Sequence, residues 1–266
     1  MSQSTGEAES LVTYELRGTV ALIGLNRPAK RNAISDRFVE AIADAVTRAS
    51  SEAKAGVIFG HGPHFCAGLD LSEHSEKPLF EAVKGSRRWH AVFDLIERGT
   101  IPFVSALTGA TVGGGFELAA STQIRVADGT AFFALPEGQR GIFVGGGGSV
   151  RIARLIGPAR MGDMMLTGRV LNATGMEAWG GVTYVAEDGK ALDKAVEIAE
   201  RMAQNAEFTN YAIINALPRI ADMSSEDGLF TESMVASLAT MTDDAKARLR
   251  DFLEKRAAKV QAPGGS

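Results

Sequence analysis

A single cysteine, Cys66, stands in the 266-residue chain, so no internal disulfide framework is available to staple a small loop-rich scaffold. None is needed, because a chain of this length buries roughly 70–75% of the surface that its unfolded form exposes. Long hydrophobic runs are missing as well, and no apolar stretch nears the ~18–20 residues that cross a bilayer, so no membrane partner is expected. The N-terminus, MSQSTGEAES, lacks the basic segment and apolar run of a secretory signal, which leaves the cytoplasm as the default location. Nor is one sign of charge in excess: 28 Lys and Arg against 32 Asp and Glu give a formal −4. That balance excludes a broad nucleic-acid-binding face while leaving room for a local basic pocket. Histidines are few, and His61, His64 and His74 share one loop region broken by glycine and proline, without the helical ligand spacing of a metal site. What the chain has in excess is glycine, 30 residues or about 11% against a typical ~7%, and the glycines cluster.

Short β and α patterns alternate along the chain, which predicts an α/β fold. Residues 11–25 read as two strands around an Arg17-Gly18 turn. Ser35 then caps a helix whose apolar residues Phe38, Ile42, Ala45, Val46 and Ala49 recur at helical spacing to about residue 51. Strands are predicted at 56–60 and 101–109 and shorter ones at 123–127 and 131–134, with helices near 79–98 and over 114–122. Beyond about residue 157 the pattern is largely helical, with amphipathic helices over 191–203, 208–217, 225–238 and 243–258. Only the tail QAPGGS, 261–266, reads as unstructured.

Two glycine-bearing segments suit chemistry. In HGPHFCAGLDL, 61–71, Gly68 lets the backbone turn sharply and approach a ligand. In GATVGGGFELAAS, 109–121, Gly113, Gly114 and Gly115 run into a predicted helix whose free N–H groups suit an anion or a developing oxyanion. A dinucleotide fingerprint is disfavoured, because Leu118 and Ala119 occupy the positions where it needs glycine. Two carboxylates sit among apolar neighbours: Glu117 in GGGFELA and Glu137 in FFALPEGQRGIF. Such carboxyls have raised pKa values and trade protons near neutrality; taken singly, each also fits an acid stabilising the start of a helix. Cys66, within the first glycine segment, reads more simply as packing than as a nucleophile, and Phe80, Trp89, His90 and Phe93 fit either a core face or an acyl pocket.

Taken together, FCAGLDL (65–71), GGGFELA (113–119), LPEGQRGIF (135–143) and GGGGSVRIARLIG (145–157), preceded by LNRPAKRNAIS (25–35), resemble in order and spacing the enoyl-CoA hydratase/isomerase, or crotonase, superfamily. The resemblance spans essentially the whole chain. It implies a spiral of ββα units over 1–200 followed by a helical C-terminal region over 201–266 that mediates trimer formation, as a homotrimer or a dimer of trimers. By the same resemblance, the backbone N–H groups of Leu69 and Gly114 form an oxyanion hole for a thioester carbonyl. Ala67, Asp70 and Leu71 then follow the adenine and pantetheine path, and Ala29, Lys30 and Arg31 lie near the nucleotide end. Coenzyme A is implied only as part of the substrate, with no separate cofactor.

Fold alone does not name the chemistry. Both positions that carry glutamate in the hydratases are glutamate here, which implies that Glu117 deprotonates the water attacking C3 while Glu137 protonates C2. The alternatives are an isomerase or hydratase-lyase on an unusual, for instance aromatic, acyl-CoA, and an idle acyl-CoA binder. Three positions depart from the family pattern: Arg140 where an aliphatic residue is usual, Val144 in place of a proline, and Gln123 in place of an aspartate. Arg140 is expected either to lower the Glu137 pKa or bind an anionic group, or to form a salt bridge at the surface or a subunit interface. Gln123 is expected to alter local hydrogen bonding.

Overall fold

Two apolar stretches separated by Gly18, whose φ of +61° suits the turn, pair antiparallel as β1 (Val12–Arg17) and β2 (Val20–Leu25). The computed structural model describes residues 10–72 and 78–254; His74, the tail 261–266 and the end of the helix expected to reach 258 lie outside the described residues. The Ser35 hydroxyl accepts the Phe38 N–H and starts α1 (Asp36–Glu52), whose buried stripe contains all five apolar residues anticipated at helical spacing. Then follow β3 (Ala55–Gly60), α2 (Leu79–Glu97), β4 (Phe103–Leu107), β5 (Ala110–Val112), α3 (Gly114–Ala120), β6 (Ile124–Asp128) and β7 (Phe132–Ala134). The chain continues through α4 (Gly148–Ile156), α5 (Pro158–Thr167), β8 (Leu171–Asn172), α6 (Ala173–Trp179), β9 (Tyr184–Ala186) and α7 (Ala191–Ala203).

The main sheet has the order β1-β2-β3-β4-β6-β9, parallel throughout except for the opening hairpin. A smaller sheet, β5-β7-β8, lies apart from it. Central strands of a parallel sheet are buried on both faces, and this explains the largely apolar runs of β3 and β4, in which the one polar side chain, Ser105, is met by the Thr122 hydroxyl. One face packs Ile23, Ile58 and Phe103 with Phe38, Phe93 and Phe116. The other packs Leu22, Val57, Val104 and Val126 against Ala195, Ile198 and Ala199 of α7. The expected α/β class is the one observed.

Chain contacts separate a unit ending at Ala203 from one beginning at Gln204, three residues beyond the division anticipated at 200, because α7 runs on to Ala203. The second unit is helical: α8 (Glu207–Asn215), α9 (Leu217–Ala221), α10 (Ser225–Met241) and α11 (Asp243–Leu253). The helix anticipated over 208–217 ends at Asn215 instead. Pro218 falls in the first turn of α9, where its missing N–H costs nothing, whereas inside a continuous helix it would break the ladder.

Candidate active site

The loop after β3, the start of α3, the segment between β7 and α4, and one side of α2 enclose a cavity of about 580 Å³. Gly68, at φ +91°, turns the first of these into the cavity; its carbonyl accepts the Ile34 N–H at 2.7 Å and the Asp70 N–H reaches the Ile34 carbonyl at 2.9 Å. That bridge leaves the Leu69 N–H outside the ladder. Gly114 opens α3, where a helix supplies no partner for its N–H. Among the described residues neither N–H donates a hydrogen bond within the chain. They are neighbours: a Cβ on Gly68 would stand 3.3 Å from the Gly114 nitrogen, and one on Gly114 would stand 3.7 Å from the Leu69 nitrogen.

Glu117 and Glu137 line the same cavity and are 3% and 6% exposed. Neither is occupied in capping its own helix. Glu117 sends Oε1 to the N–H groups of Gly146 and Gly148, at 2.8 and 2.7 Å. Burial pushes its carboxyl above the usual range, while these N–H groups and the nearby Arg151 guanidinium pull it back. Glu137 precedes a short 3-10 turn (Gly138–Arg140) without a side-chain cap bond, and its buried Oε2 has no hydrogen-bond partner. Burial raises its pKa, Glu117 adds to the rise, and Arg140 opposes it. A Cβ at Gly113, φ +51°, would come within 2.8 Å of Glu137 Oε1, so this glycine keeps the space the carboxyl occupies.

Of the other residues singled out from the sequence, Ala67 and Leu71 line the cavity. Asp70 does not: its carboxylate pairs with Arg27 at 3.1 Å and accepts the Ser72 hydroxyl at 2.6 Å, and the Ser72 hydroxyl above all holds it below the usual carboxylate range. Ala29, Lys30 and Arg31 lie exposed at a 3-10 turn (Pro28–Lys30) outside the cavity. They are tied to its edge, since the Ala67 N–H reaches the Arg31 carbonyl at 3.0 Å and Lys30 Nζ reaches Ser72 at 2.9 Å. Of the four α2 residues that fit either role, Trp89 lines the cavity, Phe93 is core, Phe80 is exposed, and His90 sits beside Ser86. Burial pushes the Cys66 thiol up to about 12, which leaves it a packing group. His61 and His64 are held by Thr13 and by the Ala110 N–H.

Arg140 and Val144 both line the cavity, and Arg140 makes no ion pair among the described residues. Gln123 accepts the Phe103 N–H at 2.7 Å and donates to the carbonyls of Ile96 and Glu97 at 3.2 and 3.0 Å, closing the end of α2. Sequence reasoning missed Arg151, Asp94 and Glu97, whose ion pairs stand behind the Glu117 loop. Nothing in local spacing marks them, because they meet across two helices far apart in the chain.

The family model for enoyl-CoA hydratase/isomerase matches residues 15–262. An enoyl-CoA hydratase from Mycobacterium tuberculosis is 31% identical over 263 residues, covering 97% of this chain and 99% of that protein. A 2,3-dehydroadipyl-CoA hydratase from Escherichia coli is 30% identical, covering 94% and 97%. Among solved structures, one from Rhodopseudomonas palustris, presented as a candidate enoyl-CoA hydratase, superposes with a TM-score of 0.91 at 50% identity, covering 94% and 97%. An enoyl-CoA hydratase from Bacillus anthracis superposes with a TM-score of 0.86 at 27% identity, covering 92% and 97%. The sheet order, the paired glutamates and these full-length matches agree: the chain belongs to the enoyl-CoA hydratase/isomerase family, with the crotonase fold.

Proposed function

We propose that this protein is a 2-enoyl-CoA hydratase, adding water across the C2=C3 double bond of an enoyl thioester to give the 3-hydroxyacyl-CoA. The observation that carries this reading is the convergence of Glu117 and Glu137 on one cavity with the N–H groups of Leu69 and Gly114. The thioester oxygen accepts those two N–H groups, and as negative charge moves onto it each donor contributes roughly 3–4 kcal/mol in a dry site. Glu117, whose Oε1 is held by two glycine N–H groups that favour the carboxylate, takes a proton from the water that attacks C3. Glu137, with no donor on Oε2 and a raised pKa, supplies a proton to C2. The proton gained by Glu117 returns to Glu137 through exchange with solvent, and atoms and charge balance.

The pantetheine arm follows Ala67 and Leu71 with Asp70 behind them, and the nucleotide end meets Ala29, Lys30 and Arg31. This chemistry calls for no metal and no cofactor beyond the coenzyme A of the substrate. The active assembly is a homotrimer or a dimer of trimers, in the cytoplasm; no described helix is long and apolar enough to cross a membrane.

The reading is tested by mixing the purified protein with short, long, aryl and carboxyl-ended 2-enoyl-CoA thioesters, following the conjugated absorbance and weighing the products. The carboxyl-ended substrate is included because one relative is named for 2,3-dehydroadipyl-CoA and Arg140 lines this cavity. Gain of one water supports the proposal. An unchanged mass with shifted absorbance means isomerisation, a shortened acyl chain means lyase action, and binding without turnover means an idle binder; each overturns it.

A further inference from the structure

Glu117 is oriented by a loop that has no side chains with which to hold its own shape. Residues Gly145, Gly146, Gly147 and Gly148 lead into α4, and two of their N–H groups meet on a single oxygen, Glu117 Oε1. Space accounts for three of the four: a Cβ on Gly148 would stand 2.9 Å from Glu117 Cγ, one on Gly146 3.1 Å from Oε2, and one on Gly147, at φ +101°, would collide with the Arg151 guanidinium. A run of four glycines has more backbone freedom than any other sequence, so the conformation that aims both N–H groups must be imposed from outside.

We infer that Arg151 imposes it and is a positioning residue for Glu117. Its buried guanidinium donates through Nη1 to the Gly146 carbonyl at 2.9 Å, through Nε to Glu97 at 2.6 Å and through Nη2 to Asp94 at 2.5 Å. The path from α2 to the base is continuous: two carboxylates fix the guanidinium, the guanidinium fixes the Gly146 carbonyl, and the loop's N–H groups fix Glu117. Arginine suits the task because its planar fork serves three acceptors in different directions, which a lysine ammonium on a flexible stem does not. The pairing with Asp94 and Glu97 is what permits a buried cation here.

The inference rests on the reading of Glu117 as the base. Around Glu117 stand Glu137 and Arg140 from the segment after β7, Arg151 from α4, and His90, Asp94 and Glu97 from α2. Loss of the Arg151 charge and of the aligned N–H groups removes two influences that oppose the burial of Glu117, so the acid limb of its pH profile moves upward.

The experiment compares wild type, R151K, R151Q and E97Q on whichever 2-enoyl-CoA of the short, long, aryl and carboxyl-ended panel wild type hydrates fastest, with rates normalised to sites titrated by a saturated acyl-CoA. In R151K and R151Q, kcat is expected to fall by about tenfold to a hundredfold, with KM and acyl-CoA affinity within about twofold of wild type and the acid limb of kcat shifted to higher pH, further in R151Q, which loses the charge as well as the alignment. E97Q, which keeps an acceptor for Nε, moves both quantities the same way by less. Unchanged kcat per site and an unchanged acid limb overturn the inference, as does a loss that follows only the folded fraction. Where the Arg151 variants do not fold, E97Q decides by the same two criteria. No hydration by wild type overturns the hydratase reading itself and this inference with it, whereas hydration by wild type with unaffected variants overturns this inference alone.

Discussion

Glu117 and Glu137 bring the same side chain into one cavity and meet different surroundings there. Two N–H groups on Oε1 favour the charged form of the first, while the second has a buried oxygen without a partner. Glu117→Gln and Glu137→Gln are each expected to lower kcat by roughly 10²–10⁴-fold, the usual worth of a positioned acid or base, with acyl-CoA affinity retained; steady-state kinetics and equilibrium binding check both. The Glu137 pKa also bears on stability. Because burial raises it in the folded state, protonated Glu137 folds without penalty, and the protein loses stability as pH rises through the folded value. Glu137→Gln is therefore expected to melt above wild type at neutral pH, with the difference vanishing below about pH 4, where Glu137 is protonated in both states. Arg140 acts on the same group in the opposite sense. Its replacement by Leu raises the Glu137 pKa further, so a rate that depends on Glu137 as an acid extends to higher pH, and the shift shrinks in salt because Arg140 is exposed.

Elements owe their ends to contacts that sequence spacing does not contain. Gln123 stands outside β6, yet its amide satisfies the Phe103 N–H at the start of β4 and two carbonyls at the end of α2. Gln123→Ala leaves these groups unpaired and is expected to cost about 1–3 kcal/mol, read as a lower Tm, while kcat at low temperature stays near wild type because the residue does not reach the cavity. The long elements were legible for local reasons: α1 carries a five-residue apolar stripe behind a serine cap, and β3 and β4 are apolar runs long enough to have no other use. The strands β5, β8 and β9 were not, because two or three residues carry no period; they become strands only when a neighbour pairs with them, as Thr111 does with Phe133 and Tyr184 with Val126. The same distinction runs through the site. Glu117 and Glu137 announce themselves as charges in apolar surroundings beside glycine, whereas Arg151 is one arginine in an ordinary amphipathic helix, and its partners on α2 are visible only in three dimensions. Among the substrate-path residues read from the resemblance, Ala67 and Leu71 reach the cavity, while the Asp70 side chain is turned to Arg27, a pairing no motif reveals.

Across the whole molecule, the distribution of apolar surface differs between the two units. The first packs two buried apolar clusters, although Phe80, Phe143 and Leu166 are among the large apolar side chains it leaves exposed. The second leaves Phe230, Met234, Leu238 and Met241 of α10 exposed, at positions that recur every three to four residues and so form one stripe of the helix. On α11, Leu249, Phe252 and Leu253 are likewise exposed. Single exposed apolar residues need no explanation, but a contiguous stripe on a helix marks a surface that associates. In the proposed homotrimer such a surface would lie between copies of the chain. Sedimentation equilibrium is then expected to give three or six times the 28.1 kDa chain mass. Phe230→Asp together with Met234→Glu puts two charges into that contact; the interface cannot solvate them, so the mass should fall toward that of the single chain. The described residues that line the cavity all belong to the first unit, so dissociation tests whether the chemistry needs the assembly: a dissociated variant that still hydrates substrate would mean that association serves stability alone, whereas loss of turnover with dissociation would mean that the cavity depends on contact with a second copy.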